Sequence, residues 1–369
     1  MTRMLAVIVL LTLGAAVTAA PAYRVETIAT GLDHPWSLAF LPDGDVLVTE
    51  RAGRLRLIED GELREAPIAG VPAVFASGQG GLFDIVLTPD FATSSSVLLS
   101  FAHGTGAANG LRVVRARYTA AGLEDVTTVF EARPLKRGGA HYGGRIALLG
   151  DDTFVVGVGD AFTLREDAQK LDNHMGKFVR VGLDGSVPAD NPFVGREDAL
   201  PEIYSLGHRN QQGLVRDEAS GALYAHEHGP RGGDEINRIE AGINYGWPVA
   251  TFGVDYTGAQ ISPFSEYEGM RSPLLHWTPS IAPSGMTLMR GTMFPAWRGS
   301  LLVSALAGKS VRVVPLADGL PGTQETLFAE LGERLRDVRE APDGAIWLLT
   351  DSGKGKVLRV VAQAAPVQQ

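Results

Sequence analysis

Residues 37–58 read SLAFLPDGDVLVTERAGRLRLI, and their pattern decides the fold. Leu38-Ala39-Phe40 and Val46-Leu47-Val48-Thr49 are short apolar runs, and Pro42-Asp43-Gly44 between them is a turn-forming triplet. Runs of this length suit strands better than helices. The unit is therefore an antiparallel pair, and it recurs five more times. Gly81 to Phe101 turns at Pro89-Asp90, Gly143 to Gly159 at Gly150-Asp151-Asp152, and Gly213 to Glu227 at Ser220-Gly221. Gly285 to Val314 turns at Trp297-Arg298-Gly299, and Leu335 to Val360 at Pro342-Asp343-Gly344. A repeated small sheet that cannot bury its own faces must stack on its copies. The expected fold is all-β, a six-bladed β-propeller of four-stranded antiparallel blades, with Tyr23 to Ile28 completing the last blade beside Val357 to Val361. The alternative closure is a pair of β-sandwiches. No Gly-rich turn leads from a strand into a helix, which argues against a dinucleotide fold.

Composition agrees with a turn-rich protein, since 45 of the 369 residues are glycine. Cysteine is absent, so disulfides and thiolate metal sites are excluded and any metal must be held by oxygen or nitrogen. Hard cations such as calcium fit best. The net charge of -9 makes nucleic acid a poor partner.

The first residues read as an export signal. Arg3 precedes the apolar run Met4 to Val17, which ends in Thr18, Ala19 and Ala20. Cleavage is expected near Ala20, leaving residues 21–369 as a single propeller domain; an uncleaved anchor is the alternative. Removing residues 1–20 takes away Arg3 and shifts the net charge from -9 to -10. No later run reaches the roughly 20 apolar residues that span a bilayer, so a periplasmic or secreted protein without stable membrane insertion is expected.

Function must be read from polar clusters, because propellers host many activities. Tyr204 to Pro248 is the densest: Gly-His-Arg-Asn, then His-Glu-His-Gly-Pro-Arg-Gly-Gly-Asp-Glu, then Asn-Tyr-Gly-Trp-Pro. Buried polar groups need partners, so such a run is shaped around a ligand. Three more clusters lie just before or after strands: Gln79-Gly80-Gly81, His141 to Arg145 with Gly159-Asp160, and Arg334 with Arg336.

Together with Pro279 to Gly285 and Leu335-Arg336-Asp337-Val338, these motifs resemble the soluble quinoprotein glucose/sorbosone dehydrogenases, in particular their periplasmic aldose sugar dehydrogenase branch. The resemblance runs in order through nearly the whole mature chain. It implies pyrroloquinoline quinone (PQQ) and Ca2+ as cofactors, a six-bladed propeller, and oxidation of an aldose at its C1 hydroxyl to a lactone. By this resemblance His141 takes the C1 hydroxyl proton while hydride passes to the quinone, and a pKa near 6.5 suits that role. Asp160 orients the histidine, and Arg209 with Asn210 faces the quinone. Gln79, Ser280 and Tyr256 are further expected cofactor contacts. Arg334 and Arg336 alternate along one strand, so they share a face and can converge on carboxylates. The family's cofactor lysine is replaced by Ala307, with Lys309 as the expected substitute, and Gln211 replaces the proline usual after Arg-Asn. The carbonyls of Gly229 and Pro230 are the implied catalytic calcium ligands, and Glu235 with the Tyr245 carbonyl a second, structural site.

Electrons must leave for an external acceptor, since the chain has no Cys-x-x-Cys-His heme motif. Two other functions are open. A calcium-dependent propeller lactonase needs carboxylate and Asn ligands converging on a central ion and leaves the arginines unexplained. A noncatalytic sugar- or protein-binding propeller requires no quinone. His226 and His228 have a zinc-like spacing but no third histidine nearby. Oligomeric state is not readable from these motifs.

Overall fold

The computed structural model describes residues 22–363; the expected signal peptide lies outside them. Six small antiparallel sheets follow one another along the chain. The first blade takes Pro35–Phe40, Val46–Glu50, Arg54–Glu59 and Glu62–Leu63, from the inside outwards. The innermost strands of the next five blades are Leu82–Leu87, Ile146–Leu148, Gln211–Arg216, Pro283–Leu288 and Leu335–Glu340. Each packs on its neighbours, and the last packs on the first, so the ring is closed. The sixth blade is completed by the N-terminal strand Tyr23–Leu32, which pairs antiparallel with Gly355–Ala362 and sets Thr27 opposite Leu358. This closure is the one the repeats predict, and it leaves no long unpaired inner edge.

Alternation along the strands makes the stack. Leu47 packs toward the second blade with Ile85 and Leu99, whereas Val46 and Val48 face the sixth blade with Leu349 and Val357. Leu302 likewise faces the sixth blade, and its neighbours Leu301 and Val303 face the fourth. Successive side chains point to opposite faces of a strand, so every blade contributes to two cores. Burying one such aliphatic side chain contributes about 1.5–3 kcal/mol.

Two details differ from the sequence reading. The fifth blade has five strands, because the short Leu320–Pro321 joins it beside Ser310–Ala317. Its inner connection is longer than the expected turn: Pro295–Trp297 forms a 3-10 turn, and Trp297, with no exposed surface, stacks on Phe294 at 4.8 Å. Those two rings close one end of the core between the fifth and sixth blades.

The axis is filled by a buried ionic cluster. Arg145 is 1% exposed and reaches Asp84 of the second blade at 3.4 Å and Asp337 of the sixth at 3.3 Å. Its guanidinium also donates to the Gln212 carbonyl at 3.0 Å and the Ser284 carbonyl at 3.2 Å, in the fourth and fifth blades. Arg339 bridges the same two carboxylates, and Ser37 of the first blade donates to Asp84 at 2.6 Å. One network thus ties all six blades together.

In each hairpin the start of the innermost strand and the end of the next strand lie at the same end. All six such pairs therefore gather at one mouth of the ring. The polar clusters of the sequence sit there.

Candidate active site

Gly143 and Gly207 make the two loops that carry the key side chains. Gly143 has φ +70°, and a Cβ on it would stand 2.3 Å from the Gly157 carbonyl oxygen. Gly207 has φ +79°, and a Cβ there would meet Asn244 Oδ1 at 2.2 Å. Only glycine allows either approach. His208, just after Gly207, is locked between Ser205 and Glu227 at 2.9 Å each and stacks on Tyr245. Glu227 also accepts the backbone N–H of Arg209, so the Gly-His-Arg-Asn loop is held from below.

His141 and Asp160, from neighbouring loops of the third blade, form a buried pair with Nδ1 2.6 Å from Oδ1. A carboxylate only accepts, so Nδ1 carries the proton and Nε2 keeps its lone pair. Asp160 is itself fixed: its Oδ1 accepts from Phe162 N at 2.8 Å and its Oδ2 from Trp247 Nε1 at 2.8 Å. His141 N donates to Gln79 Oε1 at 2.8 Å. Burial pushes the His141 pKa below its usual 6.5; Asp160 opposes that, while the Arg209 and Lys136 charges reinforce it. The histidine is thus kept as a neutral base. His141, Ala161 and Phe162 all adopt left-handed backbone, at φ 52°, 60° and 68°. Such conformations cost about 1–3 kcal/mol each and cluster where function demands them.

Arg209 is buried at the same mouth. It donates to the carbonyls of His228 at 2.9 Å and Gly229 at 2.7 Å, and its guanidinium lies 5.3 Å from the Trp247 ring. The Gly229 carbonyl, expected from the resemblance to bind calcium, is thus taken up here by the Arg209 guanidinium. Tyr256 reaches Arg209 Nη2 with its hydroxyl at 3.4 Å and is 58% exposed, on the rim. Beside it stands Phe162, 47% exposed and edge-on to His141 at 5.1 Å.

A cavity of about 260 Å³ opens at this end, lined by Arg51, Gln79, Asn210, Arg334, Arg336 and Asp351 among others. Arg334 lies just before the strand Leu335–Glu340 and so does not alternate with Arg336 within it, yet Asp351 holds both side chains, Arg334 at 3.2 Å and Arg336 at 3.2 Å. Burial lowers the Arg336 pKa, and the nearby Arg145 and Arg51 charges act in the same direction. Arg336 Nε is buried without a partner. Three arginines against one carboxylate leave a strongly cationic pocket. That donor set fits a planar polycarboxylate.

Not every expected contact is gathered there. Ser280 Oγ donates to Asp234 at 2.7 Å, and that buried carboxylate also accepts three backbone N–H groups, so Ser280 braces a loop. Lys309 is exposed in the turn between Ser300–Ala305 and Ser310–Ala317 and does not line the cavity. Glu235 and Tyr245 do share the wall of one small void. Burial and the neighbouring Glu227 push the Glu235 carboxyl well above its usual range, and Asn237 Oδ1 beside them lacks a partner. His226 and His228 face the carbonyls of Gly285 and Pro283, and among the described residues no three His, Asp or Glu side chains form a metal-binding group.

Three residues of the mouth carry no expectation from the sequence, Arg51, Asp351 and Lys136, and Trp247 is marked only as part of the Tyr204 to Pro248 segment. Arg51, Asp160 and Asp351 all fall just after the second strand of a blade. Superposing the repeats would have singled out Arg51 and Asp351. Lys136 lies 3.8 Å over the Tyr142 ring, and burial pulls its pKa down to about 8.

The chain matches the model of the Glucose / Sorbosone dehydrogenase family over residues 32–359. The aldose sugar dehydrogenase YliI of Escherichia coli is 42% identical over 359 residues, covering 95% of this chain and 96% of that protein. A solved glucose dehydrogenase structure superposes with a TM-score of 0.90 at 44% identity, covering 92% of this chain and all of the other. The PQQ-bound aldose sugar dehydrogenase of Streptomyces coelicolor follows at TM-score 0.74 and 32% identity, with 93% and 100% covered. A family match spanning nearly the whole propeller, together with relatives matched almost end to end, means that this chain belongs to the glucose/sorbosone dehydrogenase family.

Proposed function

We propose that the protein is a PQQ- and Ca2+-dependent aldose sugar dehydrogenase that oxidises the C1 hydroxyl of an aldose to the lactone. The observation that carries this reading is the buried His141–Asp160 pair next in the chain to Tyr142 and Gly143, which line a cavity together with Arg51, Arg334 and Arg336. Its PQQ-bound relative from Streptomyces supports the choice of cofactor.

When bound, PQQ supplies the two-electron acceptor for the hydrogen at C1. His141 Nε2 receives the hydroxyl proton, and Asp160 stabilises the imidazolium while holding the ring in place. Arg334, Arg336, Asn210 and Gln79 bind and orient the cofactor. Arg209 offers positive charge where negative charge develops, a term worth several kcal/mol in a preorganised site. The carbonyls of Gly229 and Pro230 are the hard oxygens for calcium, and Glu235 with Tyr245 forms the second site. Phe162 and Tyr256, as exposed rings beside the base, present an apolar wall to the sugar. An external acceptor then collects the electrons. Export through residues 1–20 would place this chemistry outside the cytoplasm.

Product analysis tests the reading. Protein loaded with PQQ and Ca2+ and supplied with glucose and a redox dye should release gluconolactone, one per two electrons delivered. Hydrolysis of added lactone with no dye reduction would support the hydrolase alternative instead.

A further inference from the structure

Resting on that reading, we propose that Arg51 is a direct ligand of a cofactor carboxylate and takes over the task of the lysine that Ala307 and Lys309 do not perform. Three observations carry this. Arg51 lines the same cavity as Arg334 and Arg336, whereas Lys309 does not. Arg334 donates to Asp351 and Arg336 forms an ion pair with it, but among the described residues the Arg51 guanidinium has neither a hydrogen bond nor an ion pair. Its backbone is held firmly, with its N–H donating to the His34 carbonyl at 3.1 Å and its carbonyl accepting from Leu82 at 3.1 Å.

Gly81 explains how the side chain enters the pocket. A Cβ at Gly81 would stand 2.4 Å from Arg51 Cγ and 2.3 Å from its carbonyl oxygen. The glycine next to Gln79-Gly80 thus clears the route along which the Arg51 stem runs. Arg51 is half-buried in a pocket whose one lining carboxylate, Asp351, is already held by Arg334 and Arg336, so a bound anion would supply the partner that its guanidinium lacks. Arg51 also adds to the repulsion felt by Arg336, and both would gain from a polyanion between them. A tricarboxylate cofactor can meet three arginines, one from the first blade and two from the sixth.

The test is equilibrium titration of apo-protein with PQQ, followed by quenching of tryptophan fluorescence, since Trp36 lines the cavity. Arg51→Gln should weaken PQQ binding about tenfold or more, the scale of one charge-assisted hydrogen bond, and Arg51→Lys should restore part of the loss. Lys309→Ala should leave affinity unchanged. PQQ trimethyl ester, which lacks the anionic carboxylates, should bind wild type and Arg51→Gln alike. Wild-type affinity for PQQ in Arg51→Gln, or in Arg51→Ala should the glutamine variant not fold, would overturn the assignment and leave the proposed function standing. Failure of the wild type to bind PQQ would overturn the proposed function, and the Arg51 assignment with it.

Discussion

His141 Nδ1 stands 2.6 Å from Asp160 Oδ1, and the two side chains are only 4% and 1% exposed. So close a contact in so dry a place makes the imidazole's proton inventory depend on the carboxylate. Replacing Asp160 by Asn should lower kcat by about 10²–10⁴, the usual weight of a positioned acid–base group, with little change in KM. Steady-state kinetics on the loaded enzyme decides it.

The pH profile of the same pair has a defined sign. The working form of His141 is neutral, and burial lowers its pKa, so activity should persist below pH 6.5. Asp160 raises the pKa, so in Asp160→Asn the acidic limb of kcat/KM should move further to low pH. A limb displaced to higher pH would contradict this arrangement.

Acid stability follows from His226 and His228, both of which burial pulls down to about 3. In the unfolded chain they take up protons near pH 6.5, so across that window the unfolded state binds more protons. Stability should be complete above about pH 6.5 and fall as pH drops toward 3. Thermal unfolding of His226→Gln should show a shallower fall, by about 2–4 °C per pH unit.

Arg145→Ala would leave Asp84 and Asp337 on the axis with Arg339 as their one ion-pair partner among the described residues. Breaking a buried ionic network in this way costs about 3–5 kcal/mol. Urea unfolding should show that loss; a change under about 1 kcal/mol would mean that the axial cluster is dispensable.

Much of the architecture is legible in the repeats, because alternation and turn triplets recur at every blade and Tyr23 to Ile28 has the right pattern to close the last one. The inner end of the fifth blade is not, since Trp297 looks like a turn residue and acts as a core plug. Residues 249–272 have no periodicity to read, yet they carry Tyr256 to Arg209. Arg51 and Asp351 stand out only when the repeats are superposed, because they meet at one cavity from blades that are neighbours in the ring but at opposite ends of the chain. Sequence neighbourhood alone points to Lys309, but the turn between Ser300–Ala305 and Ser310–Ala317 carries it outside the cavity.

Gly143→Ala should remove activity and stability together. The new Cβ would overlap the Gly157 carbonyl at 2.3 Å in a left-handed backbone, displacing the loop that carries His141. A loss of about 1–3 kcal/mol is expected by thermal unfolding, with weaker PQQ binding at temperatures where the variant is still folded.

The most direct measurement is glucose-dependent reduction of a redox dye by purified apo-protein reconstituted with Ca2+ and PQQ, run beside His141→Ala. The account predicts that turnover requires added PQQ and that the variant is slower by about 10²–10⁴. Dye reduction by quinone-free protein, or a wild-type rate in His141→Ala, would contradict it.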